Sequence, residues 1–177
     1  MPSGSYTKHK KRHPSQINGR QGCARCCHNR LFVFPVEFDR LQAAFIKLPA
    51  GLKKLIQNDA DWKWQHGICP LLVDGGRSLY EDRPIICRTH GYPLQSEFRV
   101  KTQSQVSVCH LNFVNTRSFD DQDLIDIDGV GMILIGANRE YIKTHPTSST
   151  DAESRPIQDI FRLVICLLLI SLGFRLA

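Results

Sequence analysis

Apolar residues recur along the middle of the chain in two rhythms. Val36, Leu41, Ala44, Phe45 and Leu48 lie close to a 3.6-residue period, and Glu37 and Asp39 suit a first turn. They predict a helix over 36–47, ended by Pro49. Leu52, Leu55 and Ile56 predict a second short helix over 50–58. Ahead of both, Leu31-Phe-Val-Phe34 is a β-prone run closed by Pro35. Asp74-Gly75-Gly76 is a turn signal between Cys69-Pro-Leu-Leu-Val73 and Ser78-Leu-Tyr80, and predicts a small hairpin. Glu81-Asp-Arg-Pro84 starts a single helical turn that would present Cys87. Phe98, Val100, Val106 and Val108 alternate and predict another hairpin over 96–109. The acidic stretch 120–128 leads into a helix through Val130, Ile133, Leu134, Ala137 and Tyr141. The expected fold class is α+β: a small irregular metal-centred domain with short hairpins and several helices.

The two ends differ from this middle. Residues 1–19 are polar and read as a disordered basic arm, with the domain spanning 20–143. Residues 144–155 are linker-like. A C-terminal apolar helix is expected over 156–177, with Ser154 as N-cap and Pro156 in the first turn. Leu163 to Leu172 is ten residues, all apolar but for Ser171, whereas a spanning helix needs about 20. The expectation is a helix that is buried or packs in a dimer, ahead of one that touches a membrane surface. Cys166, inside that run, reads as a small buried hydrophobe and is left out of the site.

At 177 residues the chain can build an ordinary hydrophobic core without a metal staple. Its net charge is +6, and Lys8-His-Lys-Lys-Arg-His13 carries four of the positive charges. No RNA-binding signature or stacking aromatics accompany that run, so no nucleic-acid partner is assigned, and the run reads as solvated. No apolar h-region follows it, and the expected setting is a reducing cytoplasm. Seven cysteines, an odd number, then read as metal-binding or catalytic rather than as a disulfide framework.

Six of those cysteines form the pattern that points to chemistry: Cys23, Cys26, Cys27, Cys69, Cys87 and Cys109. Cys23-x2-Cys26 lets two sulfurs turn back onto one ion, about 2.3 Å from each in a zinc site. His66-x2-Cys69 and Cys87-x2-His90 use the same separation, and Cys109-His110 adds a fourth pair. Cys26 and Cys27 add a constraint, because adjacent side chains on extended backbone point to opposite faces. Both can reach one ion only from a helical or bent backbone. Either one ligates and one packs, or the site holds more than one metal, or the pair is redox-active. His28, His66, His90 and His110 read as hydrogen-bonding neighbours ahead of ligands. Asp126-Ile-Asp128-Gly129 does not make a calcium loop, since Leu124 and Ile135 stand where carboxylates are needed.

Cys23-Ala-Arg-Cys-Cys27, Val33-Phe-Pro-Val-Glu37, Cys69-Pro-Leu-Leu, Ser78-Leu-Tyr-Glu-Asp-Arg-Pro84, Cys87-Arg88, Gly91-Tyr-Pro-Leu94 and Cys109-His-Leu-Asn-Phe113 together resemble the YkgJ-like cysteine-cluster family. The resemblance covers roughly residues 20–115. It implies a zinc- or iron-chelating domain, with all six clustered cysteines on family cysteines, and its members are often described as iron–sulfur oxidoreductases. Two departures stand out. Arg20 occupies the place of the first family cysteine, and Gly76-Arg77-Ser78 lacks the cysteine expected just before Ser78.

The expected function is therefore metal binding, with a zinc ion ahead of an iron–sulfur cluster as the cofactor. An iron–sulfur oxidoreductase or electron carrier is the alternative. A thiol redox sensor is the third reading, in which Arg25, His28 and Arg30 lower a thiol pKa. A protein partner would dock on the exposed face, and its identity is not encoded in any motif.

Overall fold

A computed structural model describes His13 and residues 15–18, 22–97, 106–145 and 154–160. The basic arm up to Arg12, residues 98–105 of the predicted second hairpin, the linker stretch 146–153 and the apolar run 161–177 lie outside the described residues. The fold is α+β, with four helices and seven two-residue strands among the described residues. These fall into two compact units, Gly22–Pro84 with Ala137–Ala177, and Met1–Gln21 with Ile85–Gly136.

The first unit holds the main apolar core. Strand β1 (Phe32–Val33) leads into helix α1 (Pro35–Ile46). The fixed φ of Pro35 suits the first helical position, and the Asn138 side chain accepts the Val36 N–H at 3.2 Å. Pro35, Phe38, Leu41 and Phe45 form the buried face. Phe38 is absent from the predicted apolar set, yet it is fully buried. Helix α2 (Ala50–Gln65) runs well past the predicted end near 58. Asn58, Asp59 and Asp61 face water rather than breaking the helix. Ala60 continues the buried stripe from Ile56, and Asp59 pairs with Lys63 one turn on at 3.7 Å. Leu55, predicted on the buried side, is exposed.

Strands β2 (Leu72–Val73) and β3 (Gly76–Arg77) form the predicted hairpin. Asp74 and Gly75 have φ of 49° and 69°, so both central residues are left-handed, as in a type I′ turn. The last strand in sequence, β7 (Arg155–Pro156), pairs with β1 in the register Phe32 with Pro156. This corrects the expectation of a helical first turn at Pro156, which a two-strand edge tolerates. Ile157 and Ile160 follow and are buried in the same core as Phe38, Leu41, Phe45 and Ile56. Each large apolar side chain so buried contributes about 1.5–3 kcal/mol.

The second unit is built differently. Helix α3 (Ile85–Thr89) is the single turn predicted to carry Cys87. Strand β4 (Leu94–Gln95) sits between β5 (Val106–Ser107), antiparallel, and β6 (Ile125–Asp126), parallel. Helix α4 (Ile127–Thr144) opens on the Asp126 carboxylate, which accepts the Asp128 and Gly129 N–H groups at 3.1 and 2.9 Å. Of its predicted apolar face, Leu134 is buried and Ile133 is exposed. The Asn112 side chain accepts the Asn18 N–H at 2.9 Å and donates to the Gly91 carbonyl at 2.7 Å.

Residues 13–18 differ from the expected disordered arm where they are described. The His13 ring nitrogen bonds Asp123 at 2.9 Å, and the Gln16 carbonyl accepts the Phe113 N–H at 3.0 Å. Hydrogen bonds of this kind leave no apolar period in the sequence.

Candidate thiol centre

The first unit carries four of the six clustered cysteines. Gly22, at φ +88°, opens the thiol loop, and the hairpin turn lies against it: a Cβ on Gly75 would meet the Gly22 Cα at 3.7 Å. Arg25–Cys27 then forms a 3-10 turn, closed by the Cys27 N–H on the Ala24 carbonyl at 2.8 Å. That bend answers the difficulty posed by two adjacent cysteines. It lets Cys26 and Cys27 both face one side, where they meet the guanidinium of Arg77 from β3.

Arg77 Nε donates to Cys27 Sγ at 3.1 Å, and its Nη2 donates to Cys26 Sγ. One planar fork thus bridges two neighbouring sulfurs. Cys69 comes in from the far side of α2: its N–H donates to the Cys27 carbonyl at 2.7 Å, and its thiol acts electrostatically on Cys27. Cys27 and Cys69 are both buried and belong to the apolar core cluster, with Cys26 packed against it.

The two adjacent thiols shift each other in opposite directions. The hydrogen bond with Cys26 is the largest influence on Cys27 and brings it down to about 7; burial opposes this, and Arg77 assists it. Cys26 is pushed well above the ordinary thiol range by that same bond and by burial, with Arg77 pulling the other way. The centre is therefore a pair of adjacent cysteines of unlike acidity beside a fixed cation. Sequence reasoning sought that cation in Arg25, His28 and Arg30. Arg25, His28 and Arg30 are exposed, and Arg30 donates to the Trp64 and Gln65 carbonyls at 2.9 and 2.7 Å. Arg77 was missed because it lies fifty residues from Cys27 in sequence, and only the hairpin brings it near.

The histidines beside the cysteines make local bonds. His28 Nδ1 bonds the Ala24 carbonyl at 3.0 Å, and His66 Nδ1 bonds the Trp62 carbonyl at 2.7 Å while its ring stacks on Trp62. Cys23 is half-buried at the start of the loop. Cys87, on α3, and Cys109, after β5, belong to the second unit and are each half-buried.

The soft sulfur donors fit zinc or an iron–sulfur cluster in chemical type. In arrangement they do not enclose one: among the described residues no three His, Cys, Asp or Glu side chains are set to hold a metal ion. The Cys26 and Cys27 sulfurs face Arg77 instead. No family model, curated protein or solved structure matches the chain.

Proposed function

We propose that this protein is a metal-chelating cysteine-cluster protein, with zinc the favoured ion and an iron–sulfur cluster the alternative. The observation that carries the reading is the packing of Cys26, Cys27 and Cys69 into one core cluster, with Cys23 three residues ahead of Cys26. Three of these side chains come from a bent thiol loop and one from beyond α2, the kind of two-segment set that zinc ribbons use. Cys87 and Cys109 remain ligand candidates from the second unit. The resemblance to the YkgJ-like family in the order of all six cysteines supports the same chemistry.

One observation favours a second reading, a thiol redox sensor. Cys27 ionises near neutral pH beside a hydrogen-bonding partner thiol, the condition under which a cysteine reacts with oxidants. A single experiment separates the two. Metal and acid-labile sulfide are measured, with a visible spectrum, on full-length protein purified anaerobically. About one zinc per chain without sulfide is expected. Iron with near-equal sulfide would move the assignment to a cluster. Neither metal nor sulfide, with rapid oxidation of Cys27, would replace chelation with the sensor.

A further inference from the structure

We propose that the C-terminal end of α2, with Phe32 of β1 beside it, is a docking face for an anionic lipid surface. The inference is independent of the chelating reading, and no cysteine takes part in it.

Aromatic side chains gather there. The chain has two tryptophans, Trp62 and Trp64, and both lie in the last turn of α2. Phe32 meets Trp64 edge-on, with ring centroids 5.8 Å apart, and Trp62 stacks on His66 at 4.3 Å. Phe32 and Trp62 are each 56% exposed. The pleat explains Phe32: Val33 takes the core side of the strand, so its neighbour faces out. A single exposed apolar residue is ordinary, whereas rings clustered at one helix end point to a partner. Arg30 completes the rim. It is exposed, and its guanidinium donates to the Trp64 and Gln65 carbonyls, which lie beyond the reach of the helix's own N–H groups.

Tryptophan and phenylalanine beside arginine are the chemistry of a membrane–water interface. The ring's apolar body enters the acyl boundary, and the cation meets anionic headgroups. Charge agrees with this. Residues 25–32 and 59–66 hold Arg25, Arg30 and Lys63 against Asp59 and Asp61, and Asp59 pairs with Lys63. Position agrees as well. Phe32 pairs with Pro156 across β1 and β7, and the described chain ends four residues later at Ile160. In sequence, residues 161–177 then bring the apolar stretch Leu163 to Leu172, two arginines and no acid. Base stacking fits less well, because the His66 ring already covers a face of Trp62.

The test mixes full-length protein, under reducing conditions, with vesicles of phosphatidylcholine alone or with phosphatidylserine added. Co-flotation and tryptophan emission are read. Both tryptophans lie in the face, so emission reports on it directly. Emission should shift to the blue and be quenched by lipid brominated near the headgroup end of its chains. Partition should be at least about fivefold stronger on the anionic vesicles, the effect of one basic residue near the surface. Phe32→Ser combined with Trp62→Ser, at two exposed positions, should lower partition at least about tenfold and leaves Trp64 as reporter. If that variant does not fold, quenching in wild type decides alone. Binding to neither vesicle, equal binding to both, or full partition by the double variant would overturn the proposal. Binding that leaves the tryptophans unquenched would also overturn it, since the contact would then lie elsewhere on the chain. So would self-association in lipid-free buffer that shields both tryptophans from a soluble quencher without any quenching by lipid, because the occupant would then be a second copy.

Discussion

The two units place their cysteines in contrasting surroundings. In the first, Cys27 and Cys69 sit in the apolar core, and Cys26 shares a guanidinium with Cys27. In the second, Cys87 and Cys109 are half-buried, and the buried positions of the unit include Thr89, Asn112 and Asp123 alongside Tyr92 and Phe113. An apolar core gives a thiol low dielectric and fixed neighbours, which is what turns its charge into chemistry. An interior that mixes apolar side chains with hydrogen-bonded polar ones offers positioning with less of that leverage.

The contrast breaks most visibly at Phe38. Truncation to alanine removes a fully buried ring from the core that backs the thiols, and should cost about 3–5 kcal/mol. Urea unfolding of metal-free protein measures it. A loss below 1 kcal/mol would mean the core does not organise the first unit. The equivalent truncation of exposed Val114 in the second unit should stay within about 0.5 kcal/mol.

Next in size is the difference between single cysteines. On the proposed chelating function, Cys69→Ser should lower zinc affinity by more than the roughly 10–100-fold that loss of an outer partner costs. If the first unit holds the metal alone, Cys109→Ser should leave affinity nearly unchanged. Equal losses in the two variants would mean that the first unit does not hold the metal alone.

The pH dependence sharpens the comparison inside the first unit. Cys27 is ionised more readily in the folded chain than in the unfolded one, whose thiols titrate near 8.5. Between about 7 and that value the unfolded state binds more protons, so stability of metal-free protein should rise with pH and be lost as pH falls through about 7. Cys26 is raised, so its contribution has the opposite sign and declines as pH climbs beyond the ordinary thiol range. Iodoacetamide labelling followed by peptide mapping should place half-maximal reactivity of Cys27 near pH 7, with Cys26 lagging. In R77M the Cys27 midpoint should move upward; an unmoved midpoint would mean the guanidinium does not act on the thiolate.

Much of the scaffold could be read from the residues, and the reasons for the gaps are physical. Helix α1, the Asp74-Gly75 hairpin and the α3 turn were legible because apolar period, turn chemistry and proline position agree locally. Cys26 and Cys27 were legible as a geometric constraint, and the 3-10 turn is the bend that constraint requires. Arg77 was legible only as a missing cysteine. That a cation should reach both sulfurs depends on hairpin register and on the contact of its turn with Gly22, and neither leaves a mark in local composition. Pro156 misled because a proline after a serine-rich stretch signals a helix start equally well as a strand edge.

The smallest expected effect falls in the second unit, where polar bonds do the positioning. His13→Ala removes the 2.9 Å bond to Asp123 and the edge contact of the ring with Phe113, and should cost about 1 kcal/mol. The loss should be local. The Phe113 N–H, which donates to the Gln16 carbonyl, should exchange with solvent faster, while Ile56 and Phe45 amides in the first unit keep their protection. Labelling of Cys26 and Cys27 should not change, because no bond shown in the Cys26–Cys27–Arg77 arrangement involves His13. A parallel change in exchange at Phe45 would show that the two units unfold as one cooperative body, and the contrast between a thiol-bearing core and a polar neighbour would then be one of composition rather than of independent stability.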